Sequence, residues 1–246
     1  MNQDNIADPN VFTNGHSYRA FESNPLFSAA GPSMTDAVQG ELGDCWLLAG
    51  LGAIANDNPM AIKQNVVDFD DGTYGVHLGD KFYRVDNELP FINSTDPLYA
   101  KLGEENSMWV AVVEKAFAIH DSFLNGAASS SYDSLEGGNA IDVHQAFGST
   151  NAASKGFGLY FSATAMANDI FSHWNNKEAV TITFDTPFFP GVFDAVSTVQ
   201  SVTRNASGVV TSITLRDFTN PYDNGLVAVT PAQLRSSLGY VTWGTV

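Results

Sequence analysis

The sequence predicts an α+β protein, mostly helical in its first part and mostly β in its last. Three observations carry this. Apolar residues recur at helical spacing over 45–56 and 107–123. Short alternating runs separated by turn residues dominate from residue 179 onward. A chain of 246 residues, 44% hydrophobic with 17 Phe, can bury one large core or two smaller ones sharing an interface.

Residues 1–30 mix Asn, Asp, Pro and Ser with scattered aromatics and read as an irregular arm. CWLLAGLGAIAN (45–56) reads as a buried helix, with Gly50 and Gly52 unfavourable to it. YGVHLGDKFYRVDNELP (74–90) carries two alternating runs around Gly79-Asp80, a hairpin signal. The apolar stripe of 107–123 predicts a second helix, followed by the loop NGAASSSY (125–132). A short helix is expected over 139–147, a loop and boundary over 154–158, and a helix over 163–176. Strands are expected in 179–187, 192–204, 209–218 and 225–230, with turns at Asn205–Gly208 and Asp223–Gly225. The organisation expected is an arm (1–30), a helical subdomain carrying Cys45 (31–153) and a β-rich subdomain (154–246).

Acids outnumber bases 27 to 11, and the net charge of −16 argues against nucleic acid or an anionic membrane as partner. It fits a soluble protein with room for bound cations. One cysteine excludes an internal disulfide. No apolar run is long enough to span a bilayer, and the first residues show no basic and apolar export leader, so the compartment stays open.

That cysteine sits in GPSMTDAVQGELGDCWLLAG (31–50). A lone cysteine in an apolar run is usually a small buried hydrophobe. At a helix N-terminus, though, the dipole and backbone N–H groups favour the thiolate that attacks carbonyls. The Cys45 N–H and the Gln39 side-chain amide could then form an oxyanion hole, if the turn Gly40–Gly43 folds Gln39 back.

The stretch QGELGDCWLL resembles the nucleophile motif of calpain-type cysteine proteases, which share papain-like architecture. FYRVDNELP (82–90), NSMWVAVVEKAFA (106–118) and SYDSLEGGNA (131–140) resemble further family stretches in the same order, over about 31–148. The resemblance implies a helical half and an antiparallel β half flanking a cleft that takes an extended peptide or protein. It implies Cys45 as nucleophile, Gln39 as oxyanion donor, and Gly137 and Gly138 as the place where substrate backbone approaches.

The family carries its catalytic histidine in a strand of the second half. Here that position falls on Asp194 or Ala195, and no histidine follows His173. Asn220, in Asn220-Pro221-Tyr222, matches the asparagine that would orient the ring. A carboxylate at 194, with a reference pKa near 4, is a poor proton acceptor for a thiol and has no proton for a leaving amine. His16, His77, His120, His144 and His173 are the available substitutes, with His144 the nearest in sequence to the Gly-Gly stretch.

The family also binds calcium through acidic loops. Asp36 matches one ligand, but Ser107 stands where a second acid is expected, with Glu104 and Glu105 nearby, and the other loop offers only Asp223. No cofactor is therefore required, and Asp36 is left as a candidate calcium ligand. The expectation is a calpain-like homologue impaired as a peptidase that can act as a peptide-binding module. The alternatives are an active endopeptidase using a histidine from elsewhere in the chain, and a structural protein reusing the scaffold.

Overall fold

Helical and strand periodicities are realised in a computed structural model of the chain, described at residues 6–11, 16–91, 96–185, 195–219 and 225–246. In order the elements are β1 (Ser17–Ala20), α1 (Cys45–Asp57), α2 (Pro59–Asn65), β2 (Val66–Asp68), β3 (Thr73–Leu78), β4 (Lys81–Asp86) and β5 (Glu88–Phe91). There follow α3 (Trp109–Leu124), α4 (Ala140–Ala146), β6 (Ala153–Gly156), α5 (Ala163–Asn175), β7 (Ala179–Phe184), β8 (Val196–Arg204), β9 (Val210–Arg216), β10 (Leu226–Val229), α6 (Pro231–Ser236) and β11 (Gly239–Gly244). All the expected helices and strands are present within a few residues of their expected bounds; the turn at Asp223–Gly225 falls partly outside the described residues. No helix among the described residues is long and apolar enough to cross a membrane.

The chain divides into two compact units, one of Met1–Asp44 with Pro59–Gly138 and one of Cys45–Asn58 with Asn139–Val246. This differs from the boundary expected at 153/154, because α1 belongs with the β-rich unit.

In the first unit, β2, β3 and β4 form an antiparallel meander, and β1 pairs with β5. Helix α3 is buried continuously from Trp109 to Ala118, including Glu114 and Lys115. The Lys115 ammonium cannot remain buried without partners. It meets Asp86 Oδ1 at 2.6 Å, the Glu88 carbonyl at 2.7 Å and Asp8, and lies over the Tyr18 ring. The lead-in expected to be irregular is thus docked onto this unit by a charge pair and a strand.

In the second unit six antiparallel strands run in the order β10-β9-β8-β7-β11-β6. The segment 154–158, expected as a loop and boundary, instead supplies β6, which pairs with the far C-terminal β11. Adjacent residues on a strand face opposite ways. Val199 joins the core that α5 and α6 close with Met166, Ile170 and Leu234, while the hydroxyl of Thr198 donates to the Ala49 carbonyl of α1 at 2.7 Å. Helices α1 and α4 cover that other face.

The glycines that weaken α1 as an isolated helix are what seat it. A Cβ at Gly50 would lie 2.7 Å from the Val143 Cβ of α4. One at Gly52 would lie 2.6 Å from the Phe218 Cζ and 3.1 Å from Thr198 Oγ1. Gly50→Ala should therefore destabilise the protein by about 1–3 kcal/mol in urea unfolding, despite alanine's better helix propensity. A neutral or stabilising result would show that α1 does not pack this closely.

Candidate active site

Each unit holds its own share of the expected site. In the second unit, Cys45 is the first residue of α1 and is half-buried. Backbone N–H groups of the first turn have no carbonyl partner within the helix, so this end of α1 suits developing negative charge. Strand β8, which anchors α1 through Thr198, begins directly after Ala195. Ala195 is buried, and its carbonyl accepts from Phe184 N at 3.2 Å. Its methyl side chain carries no exchangeable proton. Asp194 and Asn220 lie outside the described residues.

Two histidines share this unit with Cys45. His144 on α4 is fully buried, and neither ring nitrogen has a hydrogen-bond partner among the described residues. Burial pushes its pKa down to about 4, against the raising influence of the Trp243 backbone. His173 places Nδ1 2.5 Å from Glu178 Oε2 and Nε2 3.7 Å from Asp169 Oδ1, and its ring stacks on Trp243. In the first unit, His16 precedes β1, His77 bonds Asn65 at 3.0 Å and stacks on Phe82, and His120 bonds the Tyr83 hydroxyl at 2.8 Å.

The first unit supplies Gln39, Gly137 and Gly138. Segment 37–44 is pinned by Lys101 N to the Val38 carbonyl at 2.9 Å and by Glu41 N to the Leu98 carbonyl at 3.2 Å. Gly43 N donates to Glu136 Oε1 at 3.1 Å, and Gly137 N donates to the Gly43 carbonyl at 3.1 Å. Within the turn, one N–H of the Gln39 side-chain amide donates to the Leu42 carbonyl at 2.6 Å. Gly137 has φ +74°, in the left-handed region that favours glycine, and a Cβ there would meet nothing within 4 Å.

Asp36 is fully buried and already saturated with donors. Its Oδ2 accepts from Ser33 N at 2.8 Å and Trp109 Nε1 at 2.7 Å, and its Oδ1 from Glu104 N at 2.8 Å and Ser107 Oγ at 3.2 Å. Glu104 accepts from the Thr35 hydroxyl and Glu105 from Ala29 N. These residues do not fit a hard cation, which needs several oxygens whose lone pairs are not pledged to N–H and O–H groups. No group of three or more His, Cys, Asp or Glu suited to a metal occurs among the described residues.

Sequence reasoning missed one element beside the nucleophile: Asp44 contacts Glu114 of α3 inside the first unit, and both carboxyls are buried. The available signal was an acid in the middle of the apolar stripe of 107–123. Its partner, 70 positions away in the chain, left no local trace.

A helix-borne thiol behind a glutamine-bearing turn, with a Gly-Gly stretch tied to that turn, defines a cysteine-protease scaffold of the calpain type. The sequence matches the calpain family of cysteine proteases over residues 16–185, and the chain belongs to that family. It is 33% identical to Calpain-9 of Rattus norvegicus over 136 residues, covering 50% of this chain and 18% of that protein. It is 32% identical to Calpain-B of Drosophila melanogaster over 133 residues, covering 50% of this chain and 13% of that protein. Calpain-A of Drosophila melanogaster is 26% identical over 215 residues, covering 83% of this chain and 24% of that protein. The chain thus spans less than a quarter of the length of each of these relatives.

Two stability predictions follow from this geometry. Asp36→Ala, by orphaning four donors, should cost about 3 kcal/mol or more, and added calcium should leave the melting temperatures of wild type and variant unmoved. A calcium-dependent rise in wild-type melting temperature would contradict the hydrogen-bonded assignment of Asp36. For His144 the folded pKa lies below the ordinary value, so the unfolded chain binds the extra proton. Stability is then complete above the ordinary value of 6.5 and declines as pH falls through about 4, by about 3 kcal/mol in all. His144→Gln should flatten this acid limb in pH-resolved urea melts, and an unchanged limb would exclude His144 as its source.

Proposed function

We propose that this protein is a calpain-family scaffold that keeps the nucleophile but lacks the ring that exchanges protons with it. It binds extended peptide and hydrolyses it slowly or not at all. One observation carries this reading: the two imidazoles in the unit of Cys45 are committed elsewhere, His144 to an apolar interior and His173 to Glu178, Asp169 and Trp243. No histidine follows His173 in the sequence.

Amide hydrolysis by a thiol needs two proton transfers. A base must take the thiol proton as sulfur attacks, and an acid must protonate the departing amine. The Cys45 and Gln39 backbone and amide donors serve the oxyanion but move no proton. Alanine at 195 moves none either. An ionised Asp194 sits roughly four pK units below a thiol, and its charge opposes the thiolate. With no ring, Asn220 has nothing to orient.

Binding asks less of the site than catalysis. Gly137 and Gly138 present backbone without side chains, and Gly137 is held to the Gly43 carbonyl, which favours an extended peptide as ligand. We assign no calcium requirement, because Asp36 already serves as an acceptor for four donors. The intact Gly43-Asp44-Cys45-Trp46 motif is the feature that favours the second reading, an active endopeptidase.

Casein hydrolysis decides between them: wild type and Cys45→Ala should give the same background rate. The pH profile of Cys45 alkylation adds a second readout and should rise only above about pH 8. Cleavage lost on Cys45→Ala, with alkylation already fast near pH 5–6, would establish the active enzyme instead.

A further inference from the structure

Asp44, the last residue before the nucleophile, is fully buried, and so is Glu114 on α3. Their side chains are in hydrogen-bonding contact. As two carboxylates they would offer only acceptors, with no hydrogen between them. Glu114 receives the Ala100 amide on both oxygens, at 3.0 and 3.1 Å. Apart from its own backbone N–H, the Asp44 carboxyl has no N–H or O–H donor from the rest of the chain among the described residues. Two like charges cannot both ionise in contact inside an apolar shell.

We propose that Asp44 and Glu114 share a proton, and that this acid–carboxylate bond is a pH-sensitive clasp fastening segment 37–44, and with it the entry to Cys45, onto α3. The clasp is independent of whether the chain cleaves peptides.

The surroundings leave the pair no cation of its own. Lys115, next on α3, is spent on Asp8, Asp86 and the Glu88 carbonyl. Among the described residues Lys101 is the one basic group acting on Glu114, and its ammonium is held by the Pro97 and Leu98 carbonyls at 2.7 and 3.2 Å. Glu136 adds a further negative charge near Asp44, and Tyr132 of the Tyr132–Leu135 turn is close enough to feel the Glu114 charge. Burial holds both carboxyls above the ordinary carboxylate range, Asp44 to about 7, and Glu114 is raised further by the neighbouring Asp44.

The sign is opposite to that of His144. Groups whose folded pKa is raised stabilise fully below their unfolded value, near 4, and lose that contribution as pH rises through the folded value. The clasp therefore loosens on the alkaline side. If opening releases one proton, the opening equilibrium grows about tenfold per pH unit.

Two measurements on the full chain test this. Infrared spectra of wild type at neutral pH should contain a buried carboxylic-acid C=O band that is absent in both Asp44→Asn and Glu114→Gln. In each variant an amide N–H replaces the shared proton and the remaining carboxyl ionises. Hydrogen exchange at the Ala100 amide, corrected for base catalysis, should accelerate about tenfold per pH unit between about pH 7 and about pH 9 in wild type. In Asp44→Asn it should stay flat, because the amide donor cannot titrate away. No acid band in wild type, a band surviving in Asp44→Asn, or an equal exchange slope in wild type and Asp44→Asn would each overturn the clasp. If Glu114→Gln fails to fold, the wild-type band and the Asp44→Asn comparison still decide the question.

Discussion

Everything about the nucleophile follows from how thin α1 is. Without Cβ atoms at Gly50 and Gly52, its backbone lies against Val143, Phe218 and Thr198, and the Thr198 hydroxyl reaches a helix carbonyl. A helix with ordinary side chains there would stand off from the sheet. The close seat fixes where the first residue of α1 emerges, and that residue is Cys45. Catalysis by a thiol requires such rigid placement.

Much of this was legible in the sequence because the signals are local. The stripes of α1 and α3, the Gly79 hairpin and the alternation of β7, β8, β9 and β10 each lie within one window. The family resemblance rested on motifs such as GDCWLL and WVAVVEKAFA, which are local too. What escaped was set by partners far along the chain. Strand β6 has little strand character alone and exists because β11 pairs with it. Grouping α1 with the first half followed chain order, whereas its packing partners are α4, β7 and β8. Read as helix breakers, Gly50 and Gly52 counted against the element they make possible.

The same holds for the site. Cys45, Gln39 and the Gly-Gly stretch could be marked from motifs, but what holds them could not. Asp36 looked like a cation ligand because an acid at that position suggests one. Only the fold reveals four donors converging on it, Ser107 among them. Charge in the interior is handled in three different ways. Lys115 is paired with two aspartates, Asp36 is saturated with donors, and Asp44 with Glu114 is relieved by a proton. His144 is kept neutral by burial.

On the proposed reading, in which one proton-transfer group is missing, the site should respond to the return of that group. The most direct measurement is peptide hydrolysis by Asp194→His and Ala195→His, each with and without Cys45→Ala, beside wild type. The account predicts that one of the two histidine variants gains hydrolysis that vanishes with Cys45→Ala, while wild type stays at background. Wild-type hydrolysis that already depends on Cys45 and is not raised by either substitution would contradict it.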